Sequence, residues 1–205
     1  MKGLFISFEG PDGAGKTTQI KMLEEYLKNK GYDVVLTREP GGTYISEQIR
    51  KVILDVSNEN MNYMTEALLY AASRAQHVSE VIKSSIDEGK IVICDRFVDS
   101  SVVYQGIGRN LGIDTVEAIN KFAIDGCMPH VTFLFKISPE EGIRRKSKQG
   151  EKDRLENEKI DFHKRVYKGY EELRDKHVDR IQEIDAEKTI EEIHEDIKKR
   201  IDDIL

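Results

Sequence analysis

Residues 10–17 read Gly10-Pro11-Asp12-Gly13-Ala14-Gly15-Lys16-Thr17, with Thr18 next in the chain. This G-x-x-x-x-G-K-T spacing can build a cradle for nucleotide phosphates, because glycines let the backbone curl until successive N–H groups point inward at an anion. Lys16 supplies a point charge for the β- and γ-phosphates of ATP, and the Thr17 hydroxyl can ligate Mg2+. The motif gains weight from its setting, with a strand-like run before it and a helical pattern after it. Asp95 ends a second apolar run, Ile91-Val92-Ile93-Cys94, and so offers a carboxylate where a phosphate-bound Mg2+ sits. Arg38 and Arg96 follow strand candidates in the same way, and the paired donors of a guanidinium suit a phosphate. Two such arginines suggest an acceptor that already carries a phosphate. No histidine is beside these motifs in sequence, which fits an acceptor that needs no general base, since a phosphate monoester arrives mostly ionised.

These groups need elements to hold them. Short apolar runs at 3–9, 33–37, 90–95, 130–137 and 180–184 alternate with longer helical patterns, the signature of βαβ units around a parallel sheet. Near-continuous apolarity in the first, third and fourth runs predicts strands covered on both faces. A helix is predicted over 15–30, ending at Gly31. Met64, Leu68, Ala71, Ala75, Val78, Ile82 and Ile86 predict one long amphipathic helix over 61–88. Residues 151–176 are mostly charged and read as a surface helix. Thr189 and Glu192 predict a capping box before the stripe Ile190, Ile193, Ile197 and Ile201. The expectation is one α/β domain over 1–205, with a central parallel sheet of about five strands flanked by helices.

Composition narrows the classes. The chain has 205 residues, 39% hydrophobic and 34% charged, with a formal net charge of −6, which suits a folded domain and argues against a nucleic-acid partner. Nine acids against four bases in residues 183–205 account for most of that charge, leaving the rest nearly neutral around its basic phosphate-facing groups. No run approaches a membrane span, and the start is too short and too soon charged for a signal peptide. The two cysteines, Cys94 and Cys127, fit reduced thiols in a cytoplasmic protein, and the five histidines lack metal-ligand spacing. A guanine-reading switch would need Asn-Lys-x-Asp; Asn29-Lys30-Gly31-Tyr32 and Asn120-Lys121-Phe122-Ala123 both lack the Asp. A small kinase with a second pocket is the economical reading. A kinase for another nucleotide or nucleoside and a binding scaffold without catalysis remain as alternatives.

The set FEGPDGAGKTT (8–18), TREPGG (37–42), LLYAASRAQH (68–77) and DRFVDSSVVYQG (95–106), followed by DRLE (153–156), closely resembles the thymidylate kinase family. The resemblance implies a P-loop NTPase-type three-layer fold with a short lid at about 140–156. It also implies transfer of the γ-phosphoryl of ATP to dTMP with Mg2+, and a homodimer. By the same resemblance, Arg38 and Arg96 hold the dTMP phosphate, Asp12 accepts from the sugar 3′-hydroxyl, and Tyr70 stacks on thymine. Arg74 donates to thymine O4, Gln105 and Ser101 contact the base edge, and Tyr104 disfavours a ribose. Glu66, Tyr70 and Arg74, spaced i, i+4, i+8, form one stripe, so an aromatic face and an arginine can meet one pyrimidine. On its residues alone, Tyr70 reads as a core-flanking aromatic.

The lid departs from the family pattern. Residues 144–154 hold six bases, Arg144, Arg145, Lys146, Lys148, Lys152 and Arg154, against Glu151 and Asp153. Gly13 after the loop acid looks like the bacterial type, in which a lid arginine supplies catalytic charge. The alternate positions that often carry arginine fall on Arg145, Ser147 and Gln149, so Arg145 is the expected catalytic lid residue. Lys146 or Lys148 are the substitutes, without the planar fork of arginine.

Overall fold

A computed structural model describes residues 3–147 and 153–205. The sheet consists of β1 (Leu4–Glu9), β2 (Val34–Arg38), β3 (Ile91–Asp95), β4 (Val131–Lys136) and β5 (Ile181–Asp185), in the order β2-β3-β1-β4-β5. Every pairing is parallel, with Leu4 opposite Ile91 and Ile6 opposite Val131. Each expected strand is present to within a residue or two. All five carboxyl ends share one edge, where ligands of open α/β sheets bind.

β1 is buried along its whole length because it sits at the centre with helices over both faces. Leu4, Ile6 and Phe8 face one side, where they meet Phe133 and Phe135 together with Leu23 and Leu27 of α1 (Lys16–Asn29) and Ile193, Ile197 and Ile201 of α9 (Ile190–Asp202). Phe5 faces the other side, packed with Val92, Cys94, Val78, Ile82 and Phe97. This alternation is the period-2 geometry of a strand placed between two helical layers. Thr189 and Glu192 close the expected capping box on α9. Gly31, at φ 88°, takes the left-handed position after α1 that a β-carbon would disfavour.

Two helical expectations need correction. The stretch expected as one helix over 61–88 is α3 (Tyr63–His77), a π-helical turn (Val78–Ile82) and α4 (Lys83–Asp87). Met64, Leu68 and Ala75 are exposed, while Glu66, Ser73, Arg74 and His77 are buried with Ala67 and Ala71. The inner face of α3 is polar because it forms a wall of a site. The segment expected as a surface helix over 151–176 becomes helical only at α8 (Ile160–Lys176), and that helix buries Phe162, Val166, Tyr170 and Leu173. Those side chains pack on Val103 and Tyr104 in a second π-helical turn (Val102–Gly108), which continues α5 (Val98–Ser101). The remaining α-helices among the described residues are α2 (Tyr44–Leu54), α6 (Ile113–Ile124) and α7 (Pro139–Lys146).

Candidate active site

At the carboxyl edge a cavity of about 500 Å3 is lined by residues 12–18 of the phosphate loop, Arg38, Tyr70, Arg74, Asp95, Arg96, Ser101, Tyr104 and Gln105. The fold therefore gathers into one cavity nearly all the residues that sequence spacing and resemblance had singled out. Gly10 and Pro11 form the near side of the loop, where their carbonyls accept from Lys16 Nζ at 3.0 and 2.9 Å. Gly10 has φ 123°, and a β-carbon there would lie 2.4 Å from the Phe135 carbonyl oxygen, so the loop can lie against β4 only as glycine. Burial and the nearby Arg96 push the Lys16 ammonium below its usual pKa, with Asp95, Asp12 and Glu9 opposing.

Arg96 follows β3 with φ 69°, a left-handed backbone uncommon for a side chain of its kind. Its Nη2 donates to Asp12 Oδ1 at 2.8 Å, its Nη1 lies 3.2 Å from Ser100 Oγ, and its guanidinium stacks over Tyr104. Burial opposes the Asp12 charge, yet Arg96 and Lys16 hold its carboxyl well below the usual carboxylate range. Glu9, at the end of β1, is fully buried behind this turn, accepting from Phe97 N at 2.8 Å, Ser100 Oγ at 2.5 Å and Tyr170 OH at 3.1 Å. Its pKa is raised to about 7, first by burial and then by the charge of Asp99.

Arg74 is the largest fully buried side chain among the described residues. Glu39 Oε2 accepts from its Nε at 2.7 Å and pairs with its Nη2 at 2.6 Å, while Nη1 donates to Ser101 Oγ at 3.0 Å and to Asn120 Oδ1. The other Glu39 oxygen lies 3.0 Å from His77 Nδ1, and His77 Nε2 lies 2.6 Å from Thr37 Oγ1. A histidine thus does meet the 37–42 motif, as a buried support beneath the cavity. Arg38 donates to the Pro40 carbonyl at 3.0 Å and to Glu47 at 3.1 Å, half-exposed at the rim.

Thr17 and Asp95, the residues expected to hold Mg2+, both line this cavity. The Oδ1 atom of Asp95 is buried without a hydrogen-bond partner among the described residues, and the Thr17 side chain is exposed on the cavity wall. An orphaned carboxylate oxygen beside a phosphate cradle is the donor chemistry a hard divalent cation takes.

One expected residue is placed elsewhere. Arg145 donates to Glu141 at 2.7 Å and to the Ala186 carbonyl at 3.1 Å, outside the cavity wall, whereas the adjacent Lys146 lines it and pairs with Glu156 at 3.1 Å. On a helix, adjacent positions point about a quarter-turn apart, and α7 turns the lysine inward. Lys148, Gln149, Glu151 and Lys152 lie outside the described residues. Sequence reasoning missed Glu39, Asn120 and Glu9. Glu39 and Glu9 stand inside motifs that had been noticed, whereas Asn120 carries no local signal.

Comparison with known proteins agrees with this geometry. The family model described as thymidylate kinase matches residues 8–197. A thymidylate kinase of Clostridium novyi (strain NT) is 52% identical over 199 residues, covering 96% of this chain and 97% of that protein. One from Geobacillus sp. (strain WCH70) is 54% identical over 195 residues, covering 94% and 93%. Among solved structures, thymidylate kinase from Ehrlichia chaffeensis superposes with a TM-score of 0.79 at 32% identity, over 98% of this chain and 99% of that one. The match spans the phosphate loop, both strand-end arginines and the polar face of α3, so this chain belongs to the thymidylate kinase family.

Proposed function

We propose that the chain transfers the γ-phosphoryl group of ATP to the phosphate of dTMP, giving dTDP and ADP. The observation that carries this reading is the single cavity whose wall runs from the phosphate loop, past Arg38 and Arg96, to Tyr70, Arg74 and Gln105. One end suits a nucleoside triphosphate and the other a nucleoside monophosphate, with the two phosphate ends brought together.

In this reading the loop backbone from Gly10 to Thr18 and the Lys16 ammonium hold the β- and γ-phosphates. Arg38 and Arg96 hold the acceptor phosphate, and Asp12 takes the 3′-hydroxyl. Tyr70 stacks on the base, Arg74, Ser101 and Gln105 meet its edge, and Tyr104 crowds the 2′ position. An oxygen of the dTMP phosphate attacks the γ-phosphorus while the bond to the β,γ-bridging oxygen breaks, and the electron pair leaves with ADP. Catalysis rests on alignment and on charge stabilisation by Lys16 and Arg96 rather than on a base. Thr17 and Asp95 are the residues that would hold Mg2+, which neutralises phosphate charge when bound. Among the described lid residues, Lys146 rather than Arg145 lines the cavity, and we assign it the lid cation's role.

The chain is read as one domain over 1–205 with a lid at about 140–156, acting in the cytoplasm. No described helix is long and apolar enough to cross a membrane. A homodimer is supported by exposed apolar side chains on three helices packed side by side: Tyr44 and Val52 of α2, Leu68 of α3, and Phe122 of α6, the last 87% exposed. The test of the activity is an ADP-release assay with Mg-ATP and a panel of dTMP, dUMP, UMP, AMP and thymidine. dTMP should be the preferred acceptor, and EDTA should abolish turnover. Ready phosphorylation of thymidine with dTMP untouched would sink the reading.

A further inference from the structure

Glu66 is fully buried near the cavity, yet it is not among the residues lining it. Its two oxygens collect donors from three directions. Gln105 Nε2 donates to Oε1 at 2.9 Å, Arg109 reaches both oxygens at 3.2 Å, and Arg154 Nη1 lies 2.7 Å from Oε2. Arg109 also pairs with Glu158 at 2.5 Å, so two guanidinium groups balance two carboxylates, and the uncharged Gln105 amide adds nothing to that charge balance.

The contact does fix something else. A side-chain amide can present either its oxygen or its nitrogen, and the network around it decides which. A carboxylate offers only acceptors, so Gln105 must turn its NH2 end toward Glu66. The carbonyl oxygen is then the acceptor left for the cavity that Gln105 lines. Arg74, which lines the same cavity, is donor-only, and four of its five N–H groups are occupied by Glu39, Ser101 and Asn120. Arg74 is thereby locked in place, with one N–H unspent among the described residues. The two side chains thus leave one donor and one acceptor for a base held against both of them in this cavity.

That donor and acceptor complement a pyrimidine with a 4-keto oxygen beside an N3–H. A 4-amino pyrimidine carries a donor beside an unprotonated N3 and would meet donor with donor and acceptor with acceptor. We propose that Glu66 is a specificity-determining positioning residue, which commits the Gln105 amide nitrogen and so selects 4-keto, N3–H pyrimidine nucleotides over 4-amino ones. This rests on the reading that the acceptor base lies against Arg74 and Gln105.

The experiment measures kcat and KM for dTMP and dCMP, at saturating Mg-ATP, in wild type, Glu66→Gln, Glu66→Asp and Gln105→Leu. In Glu66→Gln the new amide offers both a donor and an acceptor, so Gln105 is free to turn over. The ratio of kcat/KM for dTMP to that for dCMP should fall by about tenfold or more, the size of one buried hydrogen bond, while KM for ATP stays within about twofold. Glu66→Asp keeps the charge against Arg109 and Arg154 but draws the oxygen away from Gln105, so it carries the test if Glu66→Gln does not fold. Its ratio should fall as well. A ratio that holds, or an equal loss on both nucleotides, would show that Glu66 merely supports the wall and would overturn the proposal. Gln105→Leu separates the two levels: if it leaves the ratio and the KM for dTMP unchanged, the base does not lie against these side chains, and the underlying reading fails instead.

Discussion

Replacing Arg96 by lysine separates the chemistry of the site from the stability of the fold. Lysine keeps the positive charge and meets the same left-handed backbone as arginine, so the substitution adds no strain of its own at φ 69°. What disappears is the fork. Arg96 holds Asp12 at 2.8 Å with one nitrogen, faces Ser100 and Tyr170 at 3.2 and 3.4 Å with the other, and stacks over Tyr104. A single ammonium cannot span these positions. The ion pair lost is partly solvated, with Asp12 41% exposed, so its stability contribution is about 1 kcal/mol or less. For a chain of this size that is a shift of roughly 2–4 °C in Tm. A lost donor to developing phosphoryl charge costs far more, about a hundredfold to a thousandfold in kcat, or roughly 3–4 kcal/mol. Coupled ADP release and a thermal melt on the same preparation read the two quantities. A kcat within threefold of wild type would remove Arg96 from the mechanism. A melting loss large enough to account for the lost activity would refute the assignment of its main contribution to catalysis.

Three further outcomes are expected. Glu9, raised from 4.5 to about 7, keeps its proton in the folded chain where the unfolded chain has released it, so it costs stability as pH rises through that window, up to about 3 kcal/mol. Denaturant titrations of wild type and Glu9→Gln should therefore diverge in favour of the variant between those pH values, and a difference constant with pH would contradict this. Gly10→Ala places a methyl against the Phe135 carbonyl at a positive φ, and it should lose about 1–3 kcal/mol together with ATP affinity; unchanged nucleotide binding by calorimetry would refute the close-approach argument. On the proposed homodimer, wild type should sediment as a dimer and Phe122→Glu as a monomer without loss of helical content; a variant that remains dimeric would exclude α6 from the interface, and a monomeric wild type would refute the homodimer itself.

The sheet was legible because its strands are covered on both faces and so read as apolar runs. The phosphate loop and Arg38, Asp95 and Arg96 were legible because each directly follows or ends such a run. α3 misled because periodicity assumes that the apolar stripe faces inward. Here Leu68 is 51% exposed, while Glu66 and Arg74 are buried, satisfied by partners from α6, the 102–108 turn and the 154 region. Those partners are distant in sequence, and no local pattern announces them. α8 misled for the opposite reason, since Phe162, Val166, Tyr170 and Leu173 form a regular stripe hidden among many charges. The choice between Arg145 and Lys146 turns on the phase of one short helix, which a sequence does not fix.

The strand order β2-β3-β1-β4-β5 also bears on how the chain comes into being. β1 is made before the other four strands, yet its earliest neighbour begins at Ile91 and its second pairs from Val131. At about 5–20 residues per second, that first partner is delayed by on the order of ten seconds. Throughout this interval Leu4, Phe5, Ile6 and Phe8, all buried in the finished sheet, have no strand to pair with. Such long-range parallel pairing is intrinsically slow, and β1 waits longest of the five strands for a partner, which leaves its apolar residues open to aggregation while the chain is being made.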